Sequence, residues 1–123
     1  MTWEKEVKEI NHKRHLAEEM GGKDSVALQH SKGRLTIRER IHGILDENSF
    51  DEVGKVAGHS DYDENGKLQG FTPANFVLGF GKINDRPVVI GGEDFSLKGG
   101  SPNAAGLRKS IYTEELAIQY KLP

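Results

Sequence analysis

Trp3, Val7, Ile10 and Ala17 recur at helical spacing, and Leu16 and Met20 widen the stripe they draw. This predicts a helix over residues 3–20, interrupted on its apolar side by Arg14 and stopped by Gly21-Gly22. Its apolar stripe suits docking or coiled-coil pairing. Glu4, Glu6, Glu9, Glu18 and Glu19 set it against an anionic lipid surface. Residues 23–35 show no steady period and read as a loop or short turn carrying the basic cluster His30, Lys32 and Arg34. Thr36 and Glu39 then stand at capping-box spacing, ahead of a helix with Ile37, Ile41, Ile44 and Leu45 on one face. Asp46-Glu47-Asn48 closes that helix, and a strand is expected from Phe50 through Val53 and Val56.

Residues 58–73, GHSDYDENGKLQGFTP, have no regular alternation and read as an exposed loop or partly disordered insert. The two clearest strand signals follow, over residues 75–83 and 86–90, with Asn84-Asp85 between them as a tight hairpin turn. Gly79 and Gly81 leave one face of the first strand bare for close packing. Past the paired glycines at 91-92 and 99-100, Ser101-Pro102 reads as a helix cap and first helical residue. The helix is expected over residues 103–120, with Leu107, Ile111 and Ile118 as one buried line and Tyr112, Leu116 and Tyr120 as its neighbour. A helix after a strand normally leads back to a parallel strand, so a further strand is expected where Leu122-Pro123 stands and the fold reads as cut there.

Composition narrows the function classes. The chain has 123 residues, enough for one small domain with a modest core, but at 35% hydrophobic it is polar for an autonomous one, so disordered stretches or a core completed against something else are expected. Seventeen basic against nineteen acidic residues give a net charge of −2, which offers no long-range pull on nucleic acid or anionic membrane. With no cysteine, disulfides, thiolate nucleophiles and sulfur-rich metal sites are excluded. The first residues have no apolar core of the secretory kind, so a cytoplasmic location is expected.

Catalytic signatures are sparse. His12 and His15 lack a third metal ligand at convincing spacing, and Asp61, Asp63 and Asn65 lack the glycine and distal glutamate of a calcium loop. Asp94, at a strand end, is read as a cap for backbone donors rather than as a base. No metal site and no catalytic residue are therefore assigned. The strongest local signal is Lys98-Gly99-Gly100-Ser101 leading into a helix, with Arg108 and Lys109 following. Glycines let a ligand approach the backbone, and lysines attract a phosphate or carboxylate, but taken alone the segment reads first as a plain capped turn with surface lysines.

Taken in order, Lys32-Gly33-Arg34-Leu35-Thr36, Arg38-Glu39-Arg40-Ile41, Leu45-Asp46, Ser49-Phe50, Gly79-Phe80-Gly81-Lys82-Ile83-Asn84, Arg86-Pro87-Val88, Asp94-Phe95-Ser96, Gly99-Gly100-Ser101 and Lys109 resemble a known family. It is that of the carboxyltransferase (beta) subunits of biotin-dependent acyl-CoA carboxylases, propionyl-CoA carboxylase beta chains among them, and the resemblance covers about residues 28–123. It implies a crotonase-like fold of stacked β-β-α units, here an incomplete N-terminal portion. Residues 1–22 would be a docking helix and residues 23–123 a partial acyl-CoA carboxyltransferase domain.

The activity implied is transfer of carboxyl from carboxybiotin to the carbon alpha to a thioester, with backbone N–H groups of glycine-rich loops holding the enolate oxyanion. Those loops would lie beyond Pro123, so the chain itself is expected to be inactive. Acyl-CoA as substrate, carboxybiotin on a biotin carboxyl carrier, a biotin carboxylase component and a homo-oligomer of full subunits are the implied partners. The residues placed on the CoA side are Lys98, Gly99, Gly100, Ser101 and Lys109, with Arg34 a weaker candidate that could instead pack the second helix. Ser96, often threonine in the family, and Pro102-Asn103, where a small apolar-plus-glycine pair is usual, leave the acyl preference open. Two other functions compete: a non-catalytic structural or regulatory module, and a small phosphate-ligand binding domain.

Overall fold

A computed structural model describes residues 2–123. Three helices open the chain, α1 (Glu4–Glu18), α2 (Lys23–Ser31) and α3 (Ile37–Ile44). Five strands follow, β1 (Asp51–Val53), β2 (Gly58–Tyr62), β3 (Leu68–Pro73), β4 (Phe76–Ile83) and β5 (Arg86–Glu93), and then the long helix α4 (Ala104–Tyr120). An antiparallel sheet of order β1-β4-β5 carries the core, and β2 and β3 form a separate two-stranded sheet.

The period of two along β4 splits the core into two layers. Val77 faces α3 and joins Ile41 and Leu45, with Ile37, Phe50, Val88 and Ile90 packed around them. Phe76 and Leu78 face the other way and join Leu116 of α4, with Val53, Phe80 and Val89. Leu78 is fully buried, so truncating it to alanine would cost about 2–5 kcal/mol. The glycine positions of β4 work as their spacing predicts: a Cβ at Gly81 would lie 2.4 Å from Leu45 Cδ1, and one at Gly79 would lie 2.3 Å from Asp51 O. The end of α3 can therefore sit directly on the sheet, and β1 can pair closely beside β4.

Local chemistry fixes the corners. Thr36 and Glu39 form the expected capping box. Asn84 and Asp85 both take left-handed backbone, with φ of 49° and 65°, as a two-residue hairpin turn requires. Asp46 staples that turn to α3: its carboxylate accepts from Asn84 N (2.9 Å) and Asp85 N (2.7 Å), while its own N–H donates to Lys82 O (2.8 Å).

Four expectations are corrected. Residues 23–35 contain the helix α2, whose one buried side chain, Gln29, donates to Phe95 O (3.3 Å). The sequence at 58–73 is a paired hairpin rather than a loop. The hairpin's β2 side chains are largely exposed and its β3 side chains mostly half-buried, so backbone pairing rather than hydrophobic alternation holds it. Its turn is built by Asp63, whose Oδ1 accepts from Asn65 N and Lys67 N at 2.9 Å each, with Gly66 at φ 75°. The cap of α4 is Asn103, accepting from Gly106 N (2.6 Å), and not Ser101. Finally, Leu107, Ile111 and Ile118 are exposed, as are Tyr112 and Tyr120; α4 buries Gly106, Lys109 and Leu116 instead.

Helix α1 begins at Glu4, with Ala17 buried but Trp3, Val7 and Ile10 exposed. Tyr62 ties the helix to the β2–β3 hairpin, accepting from Lys13 Nζ (2.7 Å) and donating to Glu9 Oε1 (2.9 Å). After α4 the backbone comes back to the outer edge of β5, where Val89 N donates to Pro123 O (2.9 Å).

Candidate functional site

Beyond β5 the chain makes a rigid corner. Asp94 is buried, its N–H donates to Asn75 O (2.8 Å), and its Oδ1 accepts from Ser96 N (2.9 Å) and Ser96 Oγ (2.6 Å). It is the capping carboxylate expected. Ser96 Oγ in turn accepts from Gly21 N (2.9 Å), which anchors the α1–α2 junction to the same corner. Lys98, Gly99 and Gly100 then follow one another in left-handed backbone, with φ of 49°, 58° and 82°. Two glycines make this run accessible. Phe95 lies over Gly100, where a Cβ would come within 2.9 Å of its ring.

Asn75, fully buried where β4 begins, holds the far side of the turn. Its Nδ2 donates to Ser101 O (2.5 Å) and its Oδ1 accepts from Asn103 N (3.2 Å). Ser101 therefore contributes backbone to the corner rather than a cap, and α4 starts three residues later. Nothing in the sequence marks Asn75; its role follows from its position opposite the turn. Asn103 had a readable signal in its high preference for helix caps.

The corner aims α4 along a groove of about 540 Å³, floored by Val53, Leu78, Ala104 and Ala105 and walled by Gly54, Gly58, Arg108, Lys109 and Tyr112. It runs on, across Gly58, Ala104 and Ala105, into a recess of about 420 Å³ lined by His59, Thr72, Lys98 and Asn103. Lys98 and Lys109 are thus brought to one continuous surface, with Arg108 on its wall.

Lys109 is not a free cation at the rim. It is buried to 8% exposure, and its Nζ donates to Gly54 O (3.2 Å). Burial pushes its pKa below the usual lysine value; Glu52 nearby opposes the shift and Arg38 adds to it. Glu52 and Arg38 are themselves a two-pronged ion pair, at 2.6 and 2.9 Å. Arg34 stands elsewhere, exposed in a separate cleft with Gln29, Leu35, Arg40 and Phe95. Phe95, which lines that cleft and lies over Gly100, joins it to the glycine turn. The arrangement offers an apolar trough with cations at intervals, a shape suited to an extended ligand with an apolar arm and anionic groups.

A family model described as the carboxyl transferase domain matches residues 28–123. The chain is 37% identical over 118 residues to the methylmalonyl-CoA carboxyltransferase 12S subunit of Propionibacterium freudenreichii subsp. shermanii, covering 95% of this chain and 22% of that one. It is 37% identical over 120 residues to the mitochondrial propionyl-CoA carboxylase beta chain of Mus musculus, again covering 95% and 22%. Among solved structures, the transcarboxylase 12S crystal structure with methylmalonyl-CoA and methylmalonic acid bound superposes with a TM-score of 0.80 at 34% identity, over 98% of this chain and 24% of that one. The beta subunit of P. aeruginosa geranyl-CoA carboxylase shares the fold, with a TM-score of 0.64 at 21% identity, over 98% and 20%. The fold is accordingly the crotonase-like α/β arrangement of carboxyltransferases, and the chain spans about a quarter of the length of the relatives it matches.

Proposed function

This chain belongs to the carboxyl transferase domain family, and on that premise we propose that it forms the acyl-CoA side of a carboxyltransferase that moves carboxyl from carboxybiotin to the alpha carbon of an acyl-CoA. The observation that carries the reading is the groove along α4. Its apolar floor suits the pantetheine arm, and Lys98 and Arg108 are placed to meet phosphates through charge-assisted contacts. Gly99 is open on its Cβ side and lets the ligand approach the backbone, Gly100 is covered by Phe95 and shapes the turn, and Ser101 holds that turn in place through Asn75.

Lys109 acts from beneath. By holding Gly54 it fixes the groove wall, and its amine adds positive potential there. Arg34 is proposed as a contact for a more distant part of the ligand, past Phe95. The carboxyl group comes from carboxybiotin on a carrier protein; the residues here bind and orient the thioester that receives it. In this reading the 123-residue chain binds without turnover. Homo-oligomerisation, a biotin carboxyl carrier and biotin carboxylase as partners, and a cytoplasmic location belong to the same proposal. So does the division into a docking segment, residues 1–22, which presents Trp3, Val7 and Ile10, and a carboxyltransferase portion from 23 to 123.

The test is CoA affinity. Lys98→Ala and Arg108→Ala should each raise Kd by about tenfold, the value of one charge-assisted contact, while Lys5→Ala leaves it unchanged. Lys109→Met, which keeps the buried stem, should weaken CoA less than either. Equal affinity in all four variants, with the fold intact, would remove this groove from the CoA site.

A further inference from the structure

A second cationic concavity meets the groove at Gly54, which lines both. Helices α1 and α3 and the segment after β1 enclose a cleft of about 540 Å³ lined by Arg14, Arg38, His42, Phe50, Glu52 and Lys55, with Glu18 at its edge. The chain carries a net charge of −2, yet three permanent cations here face two carboxylates. Both carboxylates are already engaged. Glu52 takes the two terminal nitrogens of Arg38 at 2.6 and 2.9 Å, and Glu18 accepts from Lys55. The Arg38 Nε–H is buried and finds no acceptor among the described residues. Arg14, exposed on α1, has one weak contact, 3.4 Å to Asn11 Oδ1. His42 stands edge-on to Phe50, with ring centroids 6.0 Å apart.

These donors come from three separate elements and converge on one space. Arg38 is held rigidly by Glu52, whereas Arg14 and Lys55 sit on exposed or partly exposed stems that can swing inward. A fixed guanidinium with two adaptable cations around it suits a compact anion with several acceptor oxygens in a tetrahedral arrangement. We propose that this cleft binds a phosphate group, free or esterified, separately from the groove along α4, with Arg14 and Lys55 as its principal contacts and Arg38 as the charged floor. Glu18 holds Lys55 over the mouth and releases it to the incoming anion, whose double negative charge competes with a single carboxylate.

The experiment titrates the whole chain with inorganic phosphate at constant ionic strength, using chloride as the reference and amide chemical shifts as the readout. Shifts should cluster at Arg14, Arg38, His42 and Lys55. Arg14→Ala and Lys55→Ala should each raise the phosphate Kd by about tenfold, and Lys8→Ala on the same helix should not change it. Binding of CoA, measured in parallel, should survive Arg14→Ala and remain sensitive to Lys98→Ala. Phosphate shifts no larger than those of chloride, or equal phosphate affinity in Arg14→Ala and wild type, would overturn the site. Competition of CoA with phosphate that vanishes in Arg14→Ala would also overturn it, by making the cleft a part of the CoA groove. If CoA fails to bind while phosphate behaves as expected, the functional reading falls and this site stands.

Discussion

Gly106 on α4 packs against the side chain of Asn75 so closely that a Cβ there would lie 2.2 Å from Asn75 Oδ1. The contact places the first turn of α4 against the residue that holds the glycine corner, so helix and corner are positioned together.

Gly106→Ala tests that dependence. On helix propensity alone alanine should gain about 1 kcal/mol. The clash should reverse the sign and leave a net loss of about 2 kcal/mol in urea unfolding, as overpacking in a tight site does. Asn75→Ala also costs stability, because it strips partners from buried backbone groups. The double variant should lose less than the sum of the two single losses. Strict additivity would show that the two positions do not meet.

Asp85 has a side chain 94% exposed and a φ of 65°. Its nearest cation, Lys82, is 3.7 Å away on the surface and contributes little. Asp85→Gly should therefore stabilise the chain by about 0.5–1 kcal/mol, by relieving left-handed backbone strain while keeping the N–H that Asp46 accepts. The readout is the midpoint of denaturant unfolding; a lower midpoint counts against the turn geometry.

Glu39 should give the chain an acid-sensitive joint between α2 and α3. Its carboxylate is held below its ordinary value of 4.5, chiefly by the hydrogen bond with His30 and then by Thr36. A carboxylate with a depressed folded pKa binds fewer protons folded than unfolded. Its stabilisation is complete above the ordinary value and is lost as pH falls through the folded one. Urea midpoints measured from neutral pH downward should show Glu39→Gln with a shallower acid decline than wild type. Parallel curves would rule this joint out.

Leu107, Ile111 and Ile118 form an uncovered apolar stripe on α4, at 53%, 53% and 77% exposure. The chain should associate as its concentration rises. Sedimentation velocity should show larger species for wild type and a monomer for the variant with glutamine at all three positions, with the unfolding midpoint little changed. A wild type that stays monomeric across the range would refute this.

The elements legible in the sequence are those whose side chains both set the local backbone and enter the core. Thr36 and Glu39 announce α3, and the bare face at Gly79 and Gly81 announces a close approach, filled by Phe50 and β1 at Gly79 and by Leu45 at Gly81. The β2–β3 hairpin was obscured because its exposed side chains carry no alternation, although Asn65-Gly66 is a turn signal. The inward line of α4 runs through the buried Gly106, Lys109 and Leu116 and the half-buried Thr113, a helical period of three and four that hydrophobicity cannot register, since two of its members are a glycine and a lysine. At the site, Lys98 and Lys109 were legible as neighbours along one surface. Arg34 is the weaker candidate in sequence, and the folding of α2 and α3 carries it into a separate cleft beside Phe95.

The turn at Asn84-Asp85 also bears on the order in which the chain acquires its shape. Hairpins of such short span close within about 1–10 μs, because almost no chain entropy is spent in bringing their halves together. Pairing of β1 with β4 must instead bridge the whole segment that holds β2 and β3. By loop length the β4–β5 hairpin is expected to form first, with Asp46 drawing α3 onto it and the α4 surface that forms the groove assembling on that template.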